Sequence, residues 1–380
     1  MKKAIVGFCL SFCFIFSCIF LNNLHLSNCL IPDLLYKGMV VIEQNTGRVL
    51  DEYNKDTRLP MASTTKIMTA LTVLKNCKDI DKEILIDERA VGIEGTSMYL
   101  RKGEKLTIKE LLSGMLLPSG NDAATALAYS ICPTMEEFAH LMNKEAENLG
   151  LLNTNFQNSH GLDQEEHYTS AYDLAIISAE AMKYDVFKDI VASANISVRG
   201  AGGDQGDIRY LKNKNRLLHS FEGTTGIKTG FTDNAGRCFV SSAKRGNLEI
   251  ICVVLNCPDM FQVSANLLSK AFENYNYIQL LQPYHYYRKI EVLDGKQEEV
   301  KLYTKKGFSY PLSKEECDKI TYEYNVPDNL TAPIEKEQVI GSVTIKLNDK
   351  VLFEENIYTT EEIKSINIVS NIKEIVNNWN

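Results

Sequence analysis

The sequence predicts an α+β fold in which an antiparallel sheet carries a helical subdomain, followed by a small all-β domain. Strand-like runs and turn signals lie at both ends of residues 35–280, and residues 107–184 between them have helical periodicity. Strands that flank a helical stretch favour one sheet with helices packed on it. After Pro283 the pattern changes to short alternating runs, which predict the separate β-rich domain.

The N-terminal residues have the form of a secretory signal. Residues 1–3 are basic at two positions, and residues 4–21 form a mostly apolar run, as in the n-region and h-region of export signals. We assign residues 1–29 to a signal peptide and expect an exported, extracytoplasmic protein of the cell envelope. The apolar run is slightly long for a signal, so an uncleaved anchor is the alternative.

Composition excludes several classes of partner. The formal net charge is −8, which argues against nucleic acid. The cysteines beyond residue 29 are scattered without the spacing of zinc ligands, and the sequence contains no His-Glu-x-x-His motif. We therefore expect neither a metal nor a cofactor.

A predicted β-hairpin precedes the helix that carries the first candidate catalytic residues, Ser63 and Lys66. Residues 38–43 and 48–53 flank an Asn-Thr-Gly turn, which predicts a β-hairpin. A helix follows, from about Ser63 to about Lys75, because Pro60 suits a helix approach and alanine, methionine and leucine sustain the helix.

Ser63 and Lys66 stand three residues apart on that helix, so their side chains project from the same face. A serine hydroxyl is a weak nucleophile until a base lies beside it, and a lysine becomes a base when desolvation or a nearby cation lowers its pKa. The apolar neighbours would desolvate Lys66, and the helix start offers N–H groups to an oxyanion. Taken alone, however, Ser-x-x-Lys is more often a capping serine and a solvated lysine.

The remaining elements of the first domain follow from periodicity and turn signals. The predicted helices span residues 108–116, 123–130, 135–149 and 171–182. The predicted strands span residues 223–230, 238–243 and 248–255, and a helix from about 263 to 277 closes the unit.

Two further motifs carry chemistry. Ser119 and Asn121 lie between two predicted helices and would place a hydroxyl and an amide in a cleft. Lys228, Thr229 and Gly230 end a predicted strand, where they offer a cation, a hydroxyl for a carboxylate, and close approach for a substrate backbone. Each motif alone is equally an ordinary capped turn or an edge strand.

Together the three motifs are far more specific. Ser-x-x-Lys, Ser-x-Asn and Lys-Thr-Gly, in this order, form a set that is typical of penicillin-binding proteins and class A β-lactamases. The chain resembles the low-molecular-mass penicillin-binding proteins, which are serine-type D-alanyl-D-alanine carboxypeptidases. Residues 160–163, 169–175 and 215–218 extend the resemblance, which covers roughly residues 35–280 well and the β-rich domain more loosely.

The resemblance implies a fold, a reaction and ligands. The fold would be the penicillin-binding/β-lactamase-like transpeptidase fold. The reaction would remove the terminal D-alanine from peptidoglycan stem pentapeptides, and β-lactam antibiotics would bind the same site. Ser63 would be acylated with Lys66 as its general base, and Ser119 would relay protons.

The resemblance also implies how the substrate is held. Asn121 would bind the amide of the acyl group, Lys228 and Thr229 would bind the terminal carboxylate, and Gly230 would let the substrate approach. The main-chain N–H groups of Ser63 and Phe231 would form the oxyanion hole.

One feature of the resemblance is absent. An arginine that many relatives use for the carboxylate is expected near residues 259–261, and none is there. Carboxylate recognition would then fall to Lys228, Thr229 or another cation.

Three alternatives remain at this point. A β-lactamase would need a deacylating glutamate in a Glu-x-x-Leu-Asn run, and residues 145–175 contain none. An α/β-hydrolase would need a Gly-x-Ser-x-Gly elbow, which is absent, so His160 is interpreted as structural. An exported wall-binding protein with a decayed active site is the third, because of the missing arginine.

The predicted domains are a catalytic domain at 30–282, a β-rich domain at 283–358 and a C-terminal helix at 359–380. Thr359 and Glu362 resemble a capping box. Apolar residues then recur every three or four positions up to Trp379. Such a helix either packs on the β-rich domain or lies on a membrane surface.

Overall fold

The computed structural model describes residues 35–200 and 207–366. The predicted signal peptide lies outside the described residues. Within them the chain forms an α+β domain followed by a β-rich domain, which confirms the predicted fold class.

The first domain is built on a five-stranded sheet. Its strands are β1 (Gly38–Glu43), β2 (Val49–Tyr53), β7 (Thr224–Thr232), β8 (Gly236–Arg245) and β9 (Leu248–Leu255). They lie in the order β2-β1-β9-β8-β7, with every neighbouring pair antiparallel. Strand β7, which carries the Lys-Thr-Gly motif, is therefore at the edge of the sheet.

Helices cover both faces of this sheet. On one face lie α1 (Lys66–Asn76), α2 (Ile108–Leu116), α3 (Asn121–Ile131), α4 (Met135–Asn148), α5 (Ala171–Ala181) and α6 (Asp185–Ala192). On the other lies α8 (Met260–Asn274), and the short α7 (Leu217–Ser220) precedes β7. Successive side chains of β1 point to opposite faces of the sheet and so belong to two different cores. Val40 and Ile42 pack against helices α1 to α6, whereas Met39 and Val41 pack on the side of α8.

Local signals explain where several helices begin. Thr107 and Glu110 form a capping box at the start of α2, and Thr134 and Ser170 accept hydrogen bonds from main-chain N–H groups at the starts of α4 and α5. These side chains satisfy donors that a helix start leaves unpaired. Two short hairpins complete the helical side, β3 (Glu83–Leu85) with β4 (Lys105–Thr107) and β5 (Asn195–Arg199) with β6 (Ile208–Lys212).

The sequence prediction missed several features of this domain. Helix α6 and the β5–β6 hairpin were not predicted, and the last helix ends at Asn274 rather than near residue 277. The chain leaves α8 directly into β10 (Tyr275–Leu281), which pairs with β13 (Phe308–Ser313). Pairing with a distant strand outweighs local helix propensity here.

The second domain is a six-stranded sheet with its own apolar core. Its strands are β11 (Tyr286–Leu293), β12 (Glu299–Thr304), β14 (Ile320–Asn325), β15 (Asn329–Thr331), β16 (Val339–Leu347) and β17 (Lys350–Thr359), with a one-turn α9 (Lys314–Cys317) before β14. Because β10 pairs with β13, the chain joins the later strands from Tyr275 onward, before the predicted boundary at residue 283.

The predicted helix at 359–380 is wrong for its first residues. Thr359 ends β17, and its buried hydroxyl donates to the Glu335 carbonyl and accepts from the Gln338 N–H. Ile363 exchanges main-chain hydrogen bonds with Ile334. The hydroxyl that resembled a cap is therefore used inside the β-rich domain, and residues 367–380 lie outside the described residues.

Arg48, beside the β1–β2 turn, joins the two domains. Its guanidinium donates to the Pro311 carbonyl and to the Glu316 carboxylate. It also lies over the rings of Tyr275 and Tyr310, at 5.3 and 5.0 Å from their centroids. A carboxylate, a carbonyl and two aromatic faces satisfy this cation, so it fixes the β-rich domain against the edge of the first sheet.

Candidate active site

Ser63 lies on a short 3-10 turn, Ala62–Thr65, that leads directly into α1. The prediction of one helix from Ser63 is close, but the serine precedes the α-helix proper. Ala62 has a left-handed backbone (φ 50°), a conformation that costs free energy and is concentrated at functional sites. The turn presents Ser63 half-buried at the edge of a cleft while Lys66 is fully buried.

Lys66 makes three polar contacts. Its Nζ lies 2.8 Å from Ser63 Oγ, 2.7 Å from Asn121 Oδ1 and 2.6 Å from the His160 carbonyl oxygen. The last two oxygens can only accept, so a neutral amine donates its two hydrogens to them. Its lone pair is then left for the Ser63 hydroxyl proton, which is the arrangement that a general base requires.

The electrostatic surroundings favour that neutral form. Burial lowers the pKa of Lys66 well below the usual lysine range, and the charges of Lys228 and Lys214 lower it further. The Asp122 carboxylate raises the pKa of Lys66, but its effect is smaller. Desolvation, which the sequence analysis proposed as the activating influence, is therefore the dominant cause.

Lys228 brings a second buried lysine to the site. It lies opposite Val240 on the β7–β8 pair, so it points toward the helical side of the sheet, and its Nζ donates to the Thr229 carbonyl at 3.0 Å. Burial lowers its pKa to about 7, and the charge of Lys214 contributes in the same direction. Two adjacent buried lysines cannot easily both be charged, and the charge of Lys228 is one of the causes that lower the pKa of Lys66.

The turn with Ser119 and Asn121 is held by its backbone. Ser119 has φ 75°, and the Asn121 N–H donates to the Thr96 carbonyl at 2.7 Å. The Asn121 amide also donates to the Glu94 carbonyl at 2.6 Å, which leaves Oδ1 directed at Lys66. The Ser119 side chain lines the same cleft as Ser63, but it makes no hydrogen bond to any described residue.

Two contributors were missed by the sequence analysis. The buried Asp122 carboxylate accepts the N–H groups of Met98 and Leu100 and the Ser97 hydroxyl, and so shapes the loop beside the Ser119 turn. The main-chain carbonyl of His160 is an acceptor for Lys66. The sequence could have indicated Asp122, because this acidic residue lies two positions after Ser119-Gly120. The contact of Lys66 with the His160 carbonyl could not be predicted, because every residue type has a main-chain carbonyl.

The His160 ring is not a competing base. Burial is the main cause that lowers the pKa of His160 to about 3. Its Nδ1 accepts the Leu162 N–H at 3.2 Å. The neutral ring supports the loop that offers its carbonyl to Lys66, in keeping with the structural interpretation of this residue.

Gly230 has a structural use in addition to the substrate approach that the resemblance implies. A Cβ at this position would lie 3.0 Å from Ser63 N and 3.1 Å from Met61 O. The glycine thus allows β7 to pack directly against the turn that carries Ser63. Phe231, the next residue, is exposed at the mouth of the cleft.

The motif residues meet around one cleft of about 970 Å³. Ser63, Ser119, Thr229, Gly230 and Phe231 all line it, with Lys66, Asn121 and Lys228 buried beneath its floor. Within residues 35–200 and 207–366, no group of three or more metal-ligating side chains is close enough to hold a metal ion.

The family of the chain follows from its domains. Residues 30–259 match the D-alanyl-D-alanine carboxypeptidase family of serine peptidases, and residues 275–365 match the C-terminal domain of penicillin-binding protein 5. The chain belongs to this carboxypeptidase family. It is a serine-type D-alanyl-D-alanine carboxypeptidase, as the sequence resemblance implied.

Named relatives match both domains together. The carboxypeptidase DacF of Bacillus subtilis is 35% identical over 352 residues, with 90% of each chain covered. DacC of Escherichia coli is 31% identical, with 88% of this chain and 85% of DacC covered. Penicillin-binding protein 5 of Haemophilus influenzae has a structure with a TM-score of 0.71 at 30% identity, covering 88% of this chain and 99% of that one.

Replacing Lys66 by arginine tests its protonation state. We expect Lys66→Arg to slow acylation by roughly 10²–10⁴-fold, the usual worth of a general base, because a guanidinium cannot become neutral at accessible pH. The measurement is the second-order rate of labelling by a fluorescent penicillin. Lys75→Arg, on the same helix but paired with Glu145 outside the cleft, is the matched control. Acylation of Lys66→Arg at the wild-type rate would contradict a base role.

Proposed function

We propose that this carboxypeptidase removes the terminal D-alanine from peptidoglycan stem pentapeptides through an acyl-enzyme on Ser63. The observation that carries the proposal is the Lys66 amine, held by two carbonyl oxygens and in contact with the Ser63 hydroxyl at 2.8 Å. The names of the relatives support the substrate class.

Acylation begins with the Ser63 hydroxyl. Its proton passes to Lys66, and the oxygen attacks the carbonyl carbon between the last two D-alanines. The main-chain N–H groups of Ser63 and Phe231 hold the oxyanion. The C–N bond then breaks, and the departing amine of D-alanine takes a proton from Lys66 by way of the Ser119 hydroxyl, which lines the cleft without a partner among the described residues.

Deacylation repeats the sequence with water. Lys66 accepts a proton from the water, the new oxyanion forms in the same place, and Ser63 leaves with its hydroxyl restored. Asn121, fixed by the Glu94 carbonyl, binds the amide of the acyl group. Lys228 and Thr229 bind the terminal carboxylate of the substrate from the edge strand β7.

β-Lactam antibiotics enter the same reaction at its first step. A β-lactam carries a strained amide beside a carboxylate, so attack by Ser63 opens the ring and leaves the acyl group attached. The solved relatives named as penicillin-binding proteins support this expectation. We propose an extracytoplasmic location in the cell envelope, where this polymer lies, on the strength of the signal-like residues 1–29.

Mass spectrometry after penicillin treatment identifies the nucleophile. We expect the adduct on the peptide that contains Ser63, and none in Ser63→Ala. Ser119→Ala should still be modified at Ser63, more slowly, because only a proton relay is lost. An adduct on Ser119, or labelling of Ser63→Ala, would overturn the assignment.

We also propose that residues 367–380 bind peripherally to the outer face of the cytoplasmic membrane. Val369, Ile372, Val376 and Trp379 keep helical spacing beyond the end of the β-rich domain. A tryptophan suits the interfacial depth of a bilayer. Among the described residues, no helix is both long and apolar enough to cross a membrane.

Flotation with liposomes tests this peripheral binding. The mature protein should float, and a chain ending at Ile366 should not. The truncation leaves the strand pairing of Ile363 with Ile334 intact, so the β-rich domain keeps its edge. Binding should change little with salt, because Glu374 offsets Lys373 and apolar burial is the driving force. Equal flotation of the two chains, or of neither, would contradict the proposal.

A further inference from the structure

The cleft is cationic in an acidic protein. Lys212, Lys214, Arg216 and Arg237 line it, and no acidic side chain of residues 35–200 or 207–366 does. The whole chain carries a formal net charge of −8. A concentration of positive charge at one concave surface, against the overall sign, indicates recognition of an anion there.

Arg237 lies on the same face of the sheet as the Thr229 hydroxyl. On the β7–β8 pair, Thr229 is opposite Phe239 and Phe231 is opposite Arg237. Side chains two residues apart on a strand share a face. Phe239 belongs to the core under α8, so Thr229 and Arg237 both face the α8 side, whereas Lys228 faces the helical subdomain.

Arg216 reaches that side from a different segment. It immediately precedes α7, and its guanidinium lies 5.5 Å from the centroid of Phe261. Phe261 in turn packs edge-on against Phe239 at 5.0 Å. Arg216 therefore stands beside residues 260–261, the region in which the sequence lacks the expected arginine.

Both guanidiniums lie near aromatic rings and have no hydrogen-bonding partner among the described residues. Arg237 lies over the Phe231 ring at 6.0 Å. Neither Arg216 nor Arg237 side chain hydrogen-bonds or ion-pairs with any of the described residues, in contrast to Arg199, which is bound to Glu110. An arginine positioned by an aromatic face keeps its planar set of N–H groups available for a carboxylate.

We propose that Arg216 and Arg237 bind the terminal carboxylate of the substrate, beside Thr229 on the α8 side of β7. The inference rests on the proposed function and names two further substrate-binding residues for that site. Bidentate N–H groups match a carboxylate in geometry as well as charge.

A permanent cation suits this role better than a lysine whose pKa is lowered. The pKa of Lys228 is lowered to about 7 by burial, so this lysine loses its charge as the pH rises through neutrality. An arginine stays charged at every accessible pH. Recognition of the carboxylate should therefore persist above pH 7 in the wild type, although Lys228 has become neutral.

The experiment compares ligands with and without the carboxylate. Acylation rates are measured for benzylpenicillin and for its methyl ester in the wild type, Arg216→Gln, Arg237→Gln and the double variant. We expect the acid-to-ester rate ratio to fall by roughly 10- to 100-fold in the double variant, the range for lost charge-assisted hydrogen bonds. A tripeptide ending in D-alanine and its C-terminal amide should show the same loss of preference.

Arg245→Gln provides the matched control. Arg245 also lies over phenylalanine rings, those of Phe221 at 5.0 Å and Phe272 at 4.6 Å, but it is not part of the cleft lining. The acid-to-ester rate ratio of Arg245→Gln should equal that of the wild type. Labelling of Ser63 by the ester reports whether each variant retains a folded site.

The outcomes separate the two proposals. An unchanged acid-to-ester ratio in the double variant, with Ser63 still labelled, would overturn the arginine assignment and leave the carboxypeptidase mechanism intact. Absence of Ser63 labelling in the wild type would instead overturn the proposed mechanism. Partial recovery of the ratio in Arg216→Lys would support charge recognition by this residue.

Discussion

The structure depends on one buried contact, in which the Lys66 amine links the Ser63 hydroxyl to the Asn121 amide and the His160 carbonyl. A charged lysine at full burial would be costly, and neighbouring cations increase that cost. A neutral amine does not incur the desolvation free energy that burial of an ammonium would cost. The same constraint that favours a neutral lysine at this position therefore supports the proposal that Lys66 is the general base.

Three separate parts of the chain must meet for this contact to form. The sheet brings Gly230 of β7 against the Ser63 turn, and a side chain there would push the two apart. The start of α3 supplies Asn121, and the loop after α4 supplies the His160 carbonyl. Each part is fixed by local hydrogen bonds before any substrate arrives, so the site is preorganised.

Much of this arrangement could be predicted from sequence, because the three motifs combine into a specific pattern and apolar periodicity marks the main strands and helices. The parts that could not be predicted depend on distant contacts. Tyr275 enters a strand because Ser313 pairs with it, and Thr359 resembles a helix cap although Glu335 and Gln338 use its hydroxyl. The position of Arg216 beside Phe261 could not be predicted from the sequence, because only the fold brings these two residues together.

The most direct test of this account is the pKa of Lys66 itself, measured by NMR in protein labelled with ¹³C at the lysine ε-carbon. The Lys66→Arg spectrum identifies the resonance. We expect Lys66 to be a neutral amine at neutral pH, titrating far below the usual lysine value of about 10.4, because burial and two nearby lysines oppose its charge. A Lys66 resonance that remains that of an ammonium up to the usual lysine range would contradict the account.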